Sequence, residues 1–413
     1  MRIAHCADWH LSSQRGRLDP ETALNARLID FYRCARFSIE DGIQRGADLV
    51  VHCGDVFNGC RPTPTEVRLA KDAFASALEL RIPVVVVKGN HDDVRMPAER
   101  HALDLLRETP NLTVVDQPTV LFFQQLETNE RTFLRPCGPE QAEIQIACLP
   151  WPNKQLLLAD AEYRKLDPGA LNLLVREKMM DVALGLAAQL VPNVPAVLVG
   201  HFSVDLAQAG GQNRLMMLGG EWTLNAHELA ALPFCYFALG HIHKPQRVWF
   251  DGPRSMVYCG SPEAVTFGEE GEEKGYVLVS VEPDGAAVFE RVATPYRRFI
   301  TIGLDDLDED GRLLHPEALA GAIVRVRLPE GCAAIRDPQF RRDLEAAGAY
   351  EYQIETQRAE TVRRRAVEVS SEMALDEALK AWLAQRPDRK PMTEAVLAEA
   401  RTVEQALQEG GAP

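Results

Sequence analysis

The chain has 413 residues, 46% of them apolar and 25% charged, with a net charge of −15. Domains usually hold about 100–200 residues, so two or three are expected, and no apolar run reaches the roughly 20 residues that span a bilayer. The acidity argues against a freestanding basic nucleic-acid binder, whose affinity rests on Lys and Arg neutralising phosphates. It leaves open an enzyme acting on nucleic acid, with bound divalent cations or a partner offsetting the charge. The nine cysteines are scattered and form no C-x-x-C pair, so neither disulfides nor a cysteine zinc site is expected, and a reducing cytoplasm is the expected home. The opening MRIAHCADWH reads as a strand, not as a secretion signal.

In chain order, the first half alternates strand-like and helix-like segments. The pattern predicts strands at Ile3–Ala7, Asp48–Cys53 and Pro83–Val87, with helices over Ala23–Arg45 and Thr65–Leu80 between them. Further strands are predicted at Ile144–Leu149, Ala196–Val199, Tyr236–Leu239, Met256–Cys259 and Tyr276–Val281. Continuous Val/Ile/Leu runs fit strands buried on both faces. The later strands lie closer together, between Gly and Pro turns, which predicts antiparallel pairing. The class is α/β, with sheet inside and helices outside. Beyond Pro295 a small α+β unit is expected, with strands at Arg298–Leu304, Ala322–Leu328 and Ala349–Ile354 and a helix over Asp337–Glu345. Two amphipathic helices, Met373–Ala384 and Thr393–Gln408, follow, and they either fold back on the body or dock on a partner.

The chemistry collects where strands end. Five predicted ends carry Asp8-Trp9-His10, Gly54-Asp55, Gly89-Asn90-His91-Asp92, Gly200-His201 and Gly240-His241-Ile242-His243. Ligand sites of α/β sheets gather beyond the carboxyl ends of strands, and glycine lets backbone approach an ion closely. Each element alone is a common turn or a surface histidine. Their recurrence at one kind of position, holding five of the ten histidines, is the signal. Carboxylate, amide and imidazole ligands without thiolate suit Mn²⁺, Fe²⁺ or Zn²⁺. A set of two aspartates, one asparagine and four histidines is too large for one ion and suits two ions sharing a carboxylate, an arrangement that promotes in-line displacement at phosphorus.

The motifs DxH, GDxF, GNHD, GH and GHxH, in this order, resemble the calcineurin-like metallophosphoesterases. DWHL, CGDVFN, VVVVKGNHDD, ALGHIHKPQRV and YCGSPEAVTF, over about residues 1–270, resemble one branch more closely, the SbcD-type nucleases that are bacterial counterparts of the catalytic subunit of the double-strand-break repair complex. The resemblance implies a metallophosphoesterase sandwich of mixed sheets flanked by helices over residues 1–295. It further implies a small α+β cap for DNA recognition over 296–366 and a helical partner-binding tail over 367–413. It places Asp8, His10 and His243 on a first metal, Asp55 as the bridge, and Asn90, His201 and His241 on the second. The two divalent ions would be Mn²⁺, with Fe²⁺, Zn²⁺ or Mg²⁺ as alternatives. His91 would be catalytic, near the scissile phosphate, and Asp92 would orient that region. Some relatives carry a histidine directly after GDxF, where this chain has Asn58.

The implied activity is a DNA exonuclease and endonuclease in repair and recombination. The implied partners are DNA and an SbcC-like coiled-coil ATPase, in a homodimer within a heterotetramer and without a membrane. The chain has no G-x-x-x-x-G-K-[ST] loop of its own. Two other readings use the same residues: a phosphodiesterase or phosphatase for a small molecule or nucleotide, and a scaffold that kept the fold without catalysis. In an extended chain residues i and i+2 point the same way, so His241 and His243 are expected to face one site while binding different ions on either side of Asp55. Cys6, Cys53 and Cys259 are expected to pack, and His5 and His52 to lie in the core or support the ligands.

Overall fold

The computed structural model of the chain describes residues 1–14, 16–94, 101–127, 132–153, 163–208, 221–357, 379–380, 383 and 393–408. Its first sheet has six strands, in the order Ala287–Ala293, Gly275–Val281, Arg2–Cys6, Leu49–His52, Val84–Val87 and Leu112–Val115. The last four run parallel, and the first two pair antiparallel. The second sheet has seven strands, in the order Gln246–Asp251, Arg254–Tyr258, Tyr236–Gly240, Ala196–His201, Ile144–Leu149, Thr119–Glu127 and Thr132–Pro136. Its four central strands are parallel and its outer strands antiparallel.

The sheets lie face to face because the inner strands are apolar on both sides. Alternate residues of the first sheet, Ile3, Leu49, Val51, Val85 and Val87, meet Ile146, Cys148, Val197, Val199 and Ala238 of the second. The opposite face of the first sheet, with Ala4, Val50, Val84 and Val86, takes Leu28, Phe31, Ile39 and Leu69 of helices Ala26–Gln44 and Pro64–Ala73. Helix Pro168–Ala187 covers the second sheet through Val175, Met179, Ala183 and Leu186. Each fully buried Val or Leu contributes about 1.5–3 kcal/mol, which fixes the four-layer order of helix, sheet, sheet and helix. Local signals set the helix starts. The Asn25 side chain accepts from Leu28 N–H, and Thr63 and Glu66 form a capping box with Pro64 at the first helical position.

Three expectations need correction. The helix predicted over 65–80 is two helices, Pro64–Ala73 and Ala75–Glu79, joined at the buried Phe74. The late strands are not uniformly antiparallel, since Tyr236–Gly240 runs parallel to both its neighbours. Segment 241–253 between it and Arg254–Tyr258 contains the antiparallel strand Gln246–Asp251, so the chain reverses twice and returns parallel. The unit after Pro295 carries a parallel sheet, with Ile323–Pro329 between Phe299–Ile302 and Glu351–Gln357. Helix Pro338–Ala346 makes the crossover that parallel neighbours require, and Val324, Val326, Leu328, Phe340 and Leu344 form a separate core.

Helix Thr393–Gln408 is present, and Leu383 and Leu397 are buried. The other predicted tail helix, Met373–Ala384, lies outside the described residues except at 379–380 and 383, which are helical. Among the described residues no helix is long and apolar enough to cross a membrane. All nine cysteines are free thiols, with Cys6, Cys53 and Cys259 buried, as the packing expectation has it.

Candidate metal centre

Strand register brings the five motif-bearing ends to one edge. Cys6 pairs with His52 and His52 with Val86, so three loops leave the first sheet at nearly one level. In the second sheet Gly240 pairs with His201. The loops are then tied together across the edge. Asp8 N–H donates to Gly54 O at 3.0 Å, His10 N–H to Asp55 O at 3.1 Å, and His241 N–H to the Asp8 carboxylate at 3.1 Å. Glycines make the approach possible. A Cβ at Gly54 would lie 2.3 Å from His201 Nδ1, and one at Gly89 would lie 2.1 Å from Asp55 Oδ1.

Of eight non-glycine residues with positive φ among the described residues, four are Asp8, His10, Asp55 and His241, at 54°, 47°, 58° and 92°. Left-handed backbone at such residues costs about 1–3 kcal/mol each and persists where surroundings hold it. The inter-loop hydrogen bonds supply that hold. The φ of His241 also corrects the extended-chain expectation for His241 and His243. The strand stops at Gly240, and a left-handed turn, rather than strand alternation, brings the two rings to the site.

The seven ligand candidates come together as two sets. His10 Nε2 and His243 Nε2 lie 2.9 Å apart, beside Asp8. Asn90 Oδ1 lies 2.8 Å from His201 Nε2 and 3.0 Å from His241 Nδ1. Asp55 stands between them, its Oδ2 3.7 Å from His10 Nε2 and 3.3 Å from His201 Nε2. His91 is half-exposed, and its ring centroid is 4.8 Å from that of His10. Its Nδ1 faces Asn58 O at 3.1 Å. That contact uses the backbone of residue 58, so the side chain at the departure from the family motif does not enter it. Buried Asp92 accepts N–H bonds from Asp55 at 2.9 Å, Gly89 at 3.0 Å and Phe57 at 3.3 Å, which braces two of the loops.

The ring partners indicate what the inner atoms can hold. His201 Nδ1 lies 2.6 Å from Cys53 O, His241 Nε2 3.0 Å from Glu221 Oε2, and His243 Nδ1 2.9 Å from Glu269 Oε1. Those acceptors place the neutral ring's proton on the outer nitrogen, so the inner nitrogen is the atom that takes a second proton or a cation. The inner nitrogens converge with the Asn90 and Asp55 oxygens, an arrangement that repels itself unless protons or cations lie between. Two divalent ions fit this donor set, with Asp55 reaching both. Sequence reading missed the outer partners Glu221 and Glu269. Glu269 and Lys274 stand in the charged run GEEGEEKG, which reads as a solvated face, yet Lys274 is 0% and Glu269 2% exposed. His5, by contrast, is a core group, with its ring nitrogens on Tyr236 Oη and Leu239 O.

The carboxylates around the site favour positive charge on two of its rings. Burial opposes charge on His201, but Asp55 and Asp8 outweigh it and push its pKa up to about 9. Burial likewise opposes charge on His243, and Glu269 overrides it to raise the pKa. Burial and neighbouring His243 push His10 well below its ordinary value. Burial works against the Asp55 carboxylate, yet His201 holds it well below the usual range. The His201 shift predicts a pH-dependent metal affinity. Below about 9 an incoming ion must displace the His201 proton, so affinity for Mn²⁺ rises with pH, by up to roughly tenfold per unit for one proton displaced. Calorimetric titrations in buffers of different ionisation enthalpy should register the released proton, and a pH-independent Kd would contradict the assignment.

The chain matches the family model of the calcineurin-like phosphoesterases over residues 1–245. Three relatives share its sequence at the same level. The SbcD subunit of the nuclease SbcCD from Bacillus subtilis is 25% identical over 300 residues, covering 71% of this chain and 69% of that protein. The protein of the same name from Rhodobacter capsulatus is 25% identical over 352 residues, covering 80% and 77%. DNA double-strand break repair protein Mre11 of Methanocaldococcus jannaschii is 25% identical over 313 residues, covering 74% and 70%.

Proposed function

This chain belongs to the calcineurin-like phosphoesterase family, and we propose that within it the chain is the nuclease subunit of a DNA repair and recombination complex, hydrolysing phosphodiester bonds as exonuclease and endonuclease. The observation that carries the reading is the pair of ligand sets about Asp55 with half-exposed His91 beside them. Likeness to proteins named as the SbcD subunit of SbcCD and as Mre11 supports DNA as substrate.

In this reading Asp8, His10 and His243 would hold one ion, Asn90, His201 and His241 the other, and Asp55 would serve both. Mn²⁺ is the proposed metal, with Fe²⁺, Zn²⁺ or Mg²⁺ able to take its place. When bound, the ions supply a nucleophile at neutral pH and offset phosphate charge. The protein's own part is orientation and proton transfer. Glu221 and Glu269 fix the rings, and Asp92 holds the Asp55 loop against the Gly89 loop. His91 has Nδ1 occupied by Asn58 O, so Nε2 is the atom left to contact the phosphate or protonate the leaving oxygen.

The proposed domain division is the nuclease at 1–295, a DNA-recognising cap at 296–366 and a partner-binding tail at 367–413. The partner is an SbcC-like coiled-coil ATPase, in a homodimer within a heterotetramer, in the cytoplasm. The partner also answers the net charge of −15, because the assembled complex would grip the DNA. That charge is equally the feature favouring a second reading, hydrolysis of a small phosphodiester or nucleotide. Purified chain with Mn²⁺ should cut linear duplex DNA. Hydrolysis of a nucleotide ester with no DNA cleavage, with or without a partner ATPase, would establish the second reading instead.

Deleting residues 370–413 tests the tail. The truncated chain should lose the ATPase partner in a pull-down while hydrolysing a simple phosphodiester at the full-length rate. A truncated chain that no longer folds would place the tail on the body.

A further inference from the structure

The segment from Ser261 to Lys274 touches the candidate metal site on one side and the cap on the other. On the site side, Glu269 Oε1 lies 2.9 Å from His243 Nδ1, and its Oε2 lies 2.8 Å from Lys274 Nζ while accepting Val265 N–H at 3.0 Å. Lys274 Nζ also donates to His243 O at 3.2 Å. His243 is thus held by its ring and by its backbone through two buried, mutually paired charges. Both carboxylate oxygens of Glu269 are engaged, so the side chain has no freedom to follow the ring elsewhere.

On the other side the cap holds the neighbouring residues. The Phe299 ring meets Phe267 edge-on with centroids 4.7 Å apart, and the Arg325 guanidinium lies 4.3 Å over the Phe267 ring. Thr301 donates its N–H and its hydroxyl to the Glu270 carboxylate. The connection leading into the cap is tied to both ends of the segment: Arg297 N–H donates to Glu263 at 3.1 Å, and Thr294 N–H donates to Lys274 O at 3.1 Å. Glu269 and Glu270 are adjacent in the chain, in and just after the single 3-10 turn Phe267–Glu269. One residue grips the His243 ring and the next grips the cap.

We propose that Glu269 is a positioning residue for the ion on His243, and that the seating of the cap on Phe267 and Glu270 sets its position. The inference rests on the reading that Asp8, His10 and His243 hold an ion. A displaced cap strand pulls on Glu270 and, one peptide away, on the carboxylate that orients His243. On the His201 and His241 side the described orienting partners lie outside this segment: Glu221 for His241 and Cys53 O for His201. Cap movement therefore acts on one ion of the pair.

The test is calorimetric titration of metal-free full-length protein with Mn²⁺, beside melting curves without metal. Wild type should bind two ions. In Glu269→Ala one should weaken by about 10–100-fold while the other stays, as expected for a group that orients a metal-binding histidine. Glu269→Gln should recover much of the loss, because its amide oxygen still accepts from His243 Nδ1. Glu270→Ala, whose replaced side chain is exposed and touches no ligand, should weaken the same ion severalfold. A general structural lesion would instead weaken both ions equally. Two ions at wild-type affinity in Glu269→Ala would overturn the positioning role, and wild-type binding in Glu270→Ala would overturn the link to the cap. If Glu269→Ala fails to fold, Glu269→Gln and Glu270→Ala still decide: equal loss of both ions, or none, in Glu270→Ala refutes the proposal. Fewer than two ions on wild type would refute the dinuclear reading itself.

Discussion

His91→Ala is expected to keep both metal ions and to lose about 10²–10⁴-fold in turnover on DNA, the range for removing a group that transfers a proton in the transition state. The geometry separates this residue's backbone from its ring. Its N–H donates to Asp55 Oδ1 at 2.8 Å, and alanine retains that bond, so the bridging carboxylate keeps its orientation. The ring is half-exposed and has Nδ1 on Asn58 O, unlike the rings braced by Glu221, Glu269 and Cys53 O. A competing role follows from the same neighbourhood, since His91 lies close enough to His10 and Asp55 to share an ion with them. Metal titration and single-turnover kinetics on one preparation distinguish the two. Loss of an ion in His91→Ala would make the residue a ligand, whereas two ions with slow chemistry would support the acid role.

Asp55→Asn is the other change with a large expected effect. Asparagine tolerates the left-handed φ of 58° and nearly matches the shape of aspartate, so the loop should survive. What it removes is the charge between His10 and His201. Both ions should weaken by at least about 100-fold, beyond the usual cost of losing an outer partner, because a neutral amide is a poor bridge between two cations. Removal of Asp55 also takes away the main group raising His201, so the pKa of that ring should fall from about 9. An NMR titration of the metal-free variant would register the fall. Retention of one ion at wild-type affinity would show that Asp55 serves only the other.

Much of this molecule is readable in one dimension because its central strands are largely apolar runs. Val84–Val87, Ile144–Leu149 and Thr393–Gln408 lie within a residue of where periodicity places them. Strands with mixed surfaces, such as Thr119–Glu127, Gln246–Asp251 and Ala287–Ala293, leave no such mark. They are outer members of their sheets, half-covered, and their polar residues are allowed by solvent on one side. Parallel pairing in the cap was equally hidden, since it follows from where helix Pro338–Ala346 packs and not from any residue within the strands.

The candidate ligands were legible for a different reason. Metal chemistry demands Asp, Asn and His with a sharp turn, and the fold delivers them at strand ends, so type and position coincide in the text of the sequence. Sequence alone thereby determined the α/β class and the central strands, and it offered Asp8, His10, Asp55, Asn90, His91, His201, His241 and His243 as candidates. Only the tertiary structure decided which of these face one another, how left-handed backbone at Asp8, His10, Asp55 and His241 aims them, and which acids hold the rings. Glu221 and Glu269 could not be chosen beforehand from among the sixty acidic residues. Their role comes from a partner distant in the chain, and for Glu269 from burial as well, and neither leaves a local pattern.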